Sequence, residues 1–109
     1  MNVRKTDDFI ADVEGQFDWY VAHAGWEVAD HYLDSVRATC QLLGLHPGLG
    51  PCGGFAHRRL RDWRFFPVLR PFKKHVLFYE ILSGEVVMRR AMHGRRDLPR
   101  RLLETPKQD

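Results

Sequence analysis

Two apolar runs of helical period stand almost back to back in the first half of this 109-residue chain. In the first, which begins at Asp7, the residues Phe9, Val13, Phe17, Tyr20 and Ala24 recur at spacings of three and four. That period puts them on one helical stripe, with Asp8, Asp12 and Asp18 on the wetter side. Asp7 reads as the N-cap and Gly25 as the stop. In the second run, Val28, Ala29, Tyr32, Leu33, Val36, Cys40 and Leu43 repeat the pattern up to Gly44. Helices joined this tightly must fold back on each other as an antiparallel hairpin. The hairpin's apolar stripes then need a partner layer.

The second half supplies one. A glycine- and proline-rich loop runs from Leu45 to Ala56. Its GLGPCGG stretch matches a phosphate-cradling loop only in composition, because such a loop sits between a strand and the helix it caps, and here a helix comes first. A flexible connector is the expectation. Beyond it the period shortens, giving candidate strands at Leu60–Leu69, His75–Leu82 and Val86–Met92. Pro67 belongs where its missing N–H does no harm. Ser83-Gly84 is short enough to make the last two strands hairpin partners. Residues 2–6 read as an edge strand. After His93-Gly94 breaks the last strand, Asp97 reads as an N-cap with Pro99 in the first turn of a short terminal helix. The expected fold is α+β, with a helical hairpin packed on a small, mainly antiparallel sheet in the order β-α-α-β-β-β, followed by the C-terminal helix.

At 44% hydrophobic, a chain of this length buries one core and not two, so residues 1–109 are expected to form a single domain. No apolar run is long enough for a bilayer and no charged-then-apolar leader opens the chain, which points to a cytoplasmic protein without a membrane partner. Cys40 and Cys52 lack a CxxC or zinc-ligand spacing and read as free thiols. The six histidines form no HExxH-like pair, so neither a metal nor another cofactor is expected.

Charge is strongly segregated. Residues 1–55 carry three Lys or Arg against eight Asp or Glu, and residues 56–109 carry fourteen against six, or −5 and +8. Such a split suits an acidic partner, either nucleic acid or an acidic protein segment, although a solvated basic surface would also account for it. The cations crowd in EVVMRRAMHGRRDLPRRLLE, and Arg90, His93, Arg95, Arg96 and Asp97 make its turn the candidate target-binding surface. Aromatics interleave with cations in RRLRDWRFFPVLRPFKKHVLFYE, the pattern of a stacking surface for single strands, while Trp63, Phe65, Phe66, Phe78 and Tyr79 serve equally as the core of a sheet. On strand parity, His75 pairs with Tyr79 and Arg89 with His93. A set of His93, Arg90, Arg95, Arg61 and Tyr79 would suffice to cleave RNA, with a base for the 2′-hydroxyl, cations for the phosphorane charge and an acid for the leaving oxygen. A basic nucleic-acid-binding module without catalysis would carry the same cations.

The paired helices with WYVAHAGWEVADHYLDSVRATCQLL, the strand PFKKHVLFYEI and the ending VVMRRAMHGRRDLPRRL resemble the RelE/ParE superfamily of bacterial toxins. The resemblance covers nearly the whole chain, and MHGRRDL is its most specific part. It implies a toxin of a type II toxin–antitoxin module, of the plasmid-stabilisation kind, held inactive in a hetero-oligomer by a cognate antitoxin whose C-terminal segment wraps it. RelE-like members cut messenger RNA on the ribosome with basic residues and a late tyrosine or histidine, whereas ParE-like members poison DNA gyrase. No tyrosine follows Tyr79 here, and the chain continues past HGRRD into a helix as ParE-like members do. The resemblance therefore favours the ParE-like branch, a gyrase poison with no catalytic residues, over an endoribonuclease whose partner is the ribosome with its mRNA.

Overall fold

In a computed structural model, residues 1–94 and 97–106 are described. The chain runs β1 (Asn2–Lys5), α1 (Asp7–Ala24), α2 (Trp26–Leu45), β2 (Arg64–Pro67), β3 (His75–Leu82), β4 (Glu85–His93) and α3 (Leu98–Leu103). This is the expected α+β order.

The hairpin turns on one residue. Gly25 adopts φ 93° and ψ 167°, its N–H bonds to the Tyr20 carbonyl at 2.9 Å, and α2 begins at the next residue. A side chain would be strained at that φ, so glycine both ends α1 and starts α2. The N-cap of α1 is Thr6 and not Asp7. Its Oγ1 accepts from the Phe9 N–H at 3.2 Å and donates to the Met88 carbonyl at 3.0 Å, so one hydroxyl caps the helix and ties it to β4. Asp7 and Asp8 sit in the first turn, where they favour the positive helix end.

The sheet order is β1-β4-β3-β2, with β1 parallel to β4 and the other pairs antiparallel. Ser83 and Gly84, at φ 49° and 77°, make the two-residue turn with both residues left-handed, matching the twist of the β3–β4 hairpin. The first predicted strand shrinks to Arg64–Pro67, because residues 57–62 fold into turns that drive Leu60 into the core. Pro67 ends that edge strand.

Apolar side chains fill both faces of the sheet. Phe9, Val13, Tyr32, Val36 and Leu43 from the hairpin meet Leu77, Tyr79, Val86 and Met88 on one face. Leu60, Trp63 and Leu102 cover Val76, Phe78 and Met92 on the other. β3 is therefore buried without interruption from His75 to Tyr79, and the aromatics read as a possible stacking surface for nucleic acid lie in or against the core. The glycine-rich segment is not a slack connector either. It lies along β2, with Phe65 N–H bonded to the Pro51 carbonyl and Gly53 N–H to the Trp63 carbonyl. Cys40 is buried, Cys52 exposed, and both are free thiols.

Candidate functional site

One irregularity of β4 decides what its end presents. Tyr79 pairs with Met88 while Phe78 pairs with Arg90, so Arg89 is the extra residue of a β-bulge. The bulge reverses the alternation of faces. Met88 packs under the hairpin, but Met92 joins the opposite cluster and Ala91 returns to the hairpin side. Arg89 and His93 thus do not share a face, contrary to their parity in sequence. Arg89 pairs with Glu80 at 2.7 Å, and Glu80 also accepts from the Trp63 indole at 3.1 Å.

Arg90 is a structural clamp. It is 4% exposed, and its Nε and Nη2 donate to the two carboxylate oxygens of Asp12 at 2.7 and 3.0 Å. Its Nη1 donates to the Arg101 and Leu102 carbonyls at 3.1 and 3.2 Å and to that of Glu104. Asp12 also accepts from the Ala91 N–H at 3.0 Å. A planar fork with several fixed donors suits this task, satisfying a carboxylate on one side and the open carbonyls of a helix end on the other. The assignment of Arg90 to target contact is corrected by this burial, and so is the placing of Asp12 on the wet side of α1. The position of Asp12, three residues after Phe9 and one before Val13, was the available signal that it borders the apolar stripe.

Tyr79 is also committed internally. Its hydroxyl donates to the Pro47 carbonyl at 2.7 Å and accepts from the Gly50 N–H at 2.9 Å, and burial pushes its pKa up. Neither Tyr79 nor Arg90 is placed to serve a bound RNA. Arg61 is exposed on the turn that leads into β2. Asp97 is exposed in the left-handed region at φ 55° and makes no side-chain cap bond, pairing instead with Arg100 at 3.6 Å. Arg95 and Arg96 lie outside the described residues.

His93, the last residue of β4, is exposed beside a cleft lined by Gln16, Trp19 and Tyr20. Its ring meets that of His75 edge-on, with centroids 4.7 Å apart. His75 is buried, its Nε2 lies 2.8 Å from the Tyr20 hydroxyl, and burial first and His93 second push its pKa down to about 4. His75 is therefore neutral at neutral pH and hydrogen-bonded to the Tyr20 hydroxyl. Sequence reading missed this pair, which joins residues separated by 55 positions. Among the described residues no group of His, Cys, Asp and Glu is arranged to hold a metal ion, and no helix is long and apolar enough to cross a membrane.

A second feature lies on the hairpin. Phe9, Ile10, Val13, Leu33 and Val36 line an open groove rimmed by Lys5, Glu14 and Arg37. It runs beside β1, whose outer edge has no partner strand among the described residues.

A helical hairpin on a four-stranded sheet in this order is the architecture of the RelE/ParE superfamily of small toxins. The chain belongs to the ParE branch of that group, since the family model described as "ParE toxin of type II toxin-antitoxin system, parDE" matches residues 3–98. In fold it is similar to a solved structure titled "Chromosomal ParDE TA system from P. aeruginosa", with a TM-score of 0.70 and 18% identity over 87% of this chain and 97% of that one. A search of curated proteins found no significant match. Membership makes this chain the toxin of a toxin–antitoxin pair and implies an antitoxin as its partner.

Proposed function

We propose that this toxin arrests bacterial growth by poisoning DNA gyrase rather than by cleaving RNA, and that its cognate antitoxin neutralises it. The observation that carries the reading is the internal use of Arg90 and Tyr79. Of the five residues that would make up an RNA-cleaving set, these two are locked into fold-holding bonds, which leaves His93 as the exposed proton-transfer group among the described members. General acid–base catalysis needs a positioned acid as well as a base. A poison needs only a surface, and the exposed end of β4 at His93 offers one. The antitoxin is proposed to lay an apolar segment into the groove of Phe9, Ile10, Val13 and Leu33, by helix-in-groove packing or by adding a strand to β1. The test is a supercoiling assay with purified gyrase, run beside primer extension on translated mRNA. Inhibited supercoiling with intact mRNA is the expected result. Ribosome-dependent cleavage with normal supercoiling would establish the RelE-like reading instead.

A further inference from the structure

Two short turns, one at each end of the edge strand β2, are built alike, the first anchored on the sheet face that α3 covers and the second on the hairpin face. In the first, Leu60 is fully buried, and the cations Arg58, Arg59 and Arg61 flank it on both sides. In the second, Phe72 is buried against Tyr20, Tyr32 and His75, and Arg70, Lys73 and Lys74 flank it in the same way. Each turn is held by its own backbone bonds. Leu60 N–H reaches the His57 carbonyl and Trp63 N–H the Leu60 carbonyl in one, while Phe72 N–H reaches the Leu69 carbonyl and His75 N–H the Phe72 carbonyl in the other. The anchor is driven inward and the cations are left outside. All six are exposed, and none forms an ion pair with another described residue, whereas Arg4, Arg37, Arg89, Arg90 and Arg100 each do. Asp62 is the single acid in the two turns.

We infer that these turns form a docking surface for the phosphate backbone of duplex DNA, whether or not gyrase is the toxin's target. Charge complementarity names a polyanion, and three further points choose among polyanions. A protein partner would need an apolar centre, and only Leu69 is an exposed large apolar residue in this stretch. A single-stranded nucleic acid, RNA above all, would need exposed aromatic faces on which to stack bases, whereas Trp63 and Phe72 are buried. Preset cations without stacking or apolar contacts fit a backbone that is read by charge alone.

The test uses the full chain and a short fluorescent DNA duplex of arbitrary sequence, with anisotropy followed as salt is raised. The logarithm of affinity should fall linearly with the logarithm of salt. Arg58→Gln with Arg59→Gln and Arg61→Gln should lower that slope by about three, at roughly one per lost phosphate contact, and so should Arg70→Gln with Lys73→Gln and Lys74→Gln. Arg4→Gln with Arg37→Gln, which removes as exposed a pair of cations elsewhere, should leave the slope unchanged. Circular dichroism of each variant should match the parent, as expected for exposed side chains. No binding at low salt, a slope indifferent to both triple variants, or tighter binding to single-stranded RNA or to a poly-glutamate peptide would overturn the inference.

Discussion

At the scale of single residues, the decisive distinction is between cations that hold the fold and residues that face outward. Arg90 holds it. Removing one partner of a buried ion pair strands the other charge, so Arg90→Ala should cost about 3–5 kcal/mol in a denaturation experiment. Replacing both Asp12 and Arg90 with apolar residues of similar size should recover only part of that loss, because the Ala91 N–H and the carbonyls of Arg101, Leu102 and Glu104 would still lack their partners. His93 faces outward, and on the gyrase reading no proton passes through it. His93→Gln should then weaken growth arrest only modestly, while Arg95→Glu with Arg96→Glu, placing anions where an acidic target docks, should nearly abolish it. A growth assay giving the reverse order would favour RNA cleavage. His75 makes stability depend on pH. Its pKa is lowered in the fold to about 4 from 6.5, so between those values the unfolded chain binds a proton that the folded chain refuses. The stability it contributes is complete above 6.5 and is lost as pH falls to about 4. Thermal melts across this window should therefore show a shallower acid loss in His75→Gln than in the parent.

At the scale of elements, the glycine-rich segment changes meaning once it is placed. A Cβ on Gly50 would lie 2.5 Å from the Phe65 carbonyl oxygen and 2.8 Å from the Tyr79 hydroxyl. Gly50→Ala should therefore push the segment off β2 and break the bonds to Tyr79, with a loss of about 1–3 kcal/mol for the stranded polar groups alone, measurable by chemical denaturation. Glycine is needed there for close approach and not for slack. The helix ends show a similar contrast between pattern and placement. Gly25 was legible as a stop because no other residue suits its φ, but the cap fell on Thr6 because its hydroxyl can also reach β4. Asp97 holds the expected place before α3 without capping it and pairs with Arg100, while Arg90 secures the carbonyls at the helix's other end.

At the scale of the whole molecule, the sign of charge follows the chain, with the acidic hairpin half preceding the basic sheet half. An antitoxin that lies in the hairpin groove and meets the basic half with acidic residues should associate fast at low salt and more slowly as salt rises, with less change in the final stability of the complex. Stopped-flow association rates that ignore salt would contradict that picture. The element order, the one-residue hairpin, the tight β3–β4 turn and the family were all legible in the sequence, because helical and strand periods and turn residues are local properties. Three things were decided only by tertiary structure. The bulge at Arg89 reversed the faces of β4 and turned His93 toward His75. Asp12 met Arg90 across 78 positions of chain. Residues 57–63 and α3 covered the sheet's second face, so that β3 was buried on both sides. Each depends on which distant groups come together in the packed core, where a buried charge or an open sheet face must find a partner, and periodicity along the chain carries no record of which partner that is.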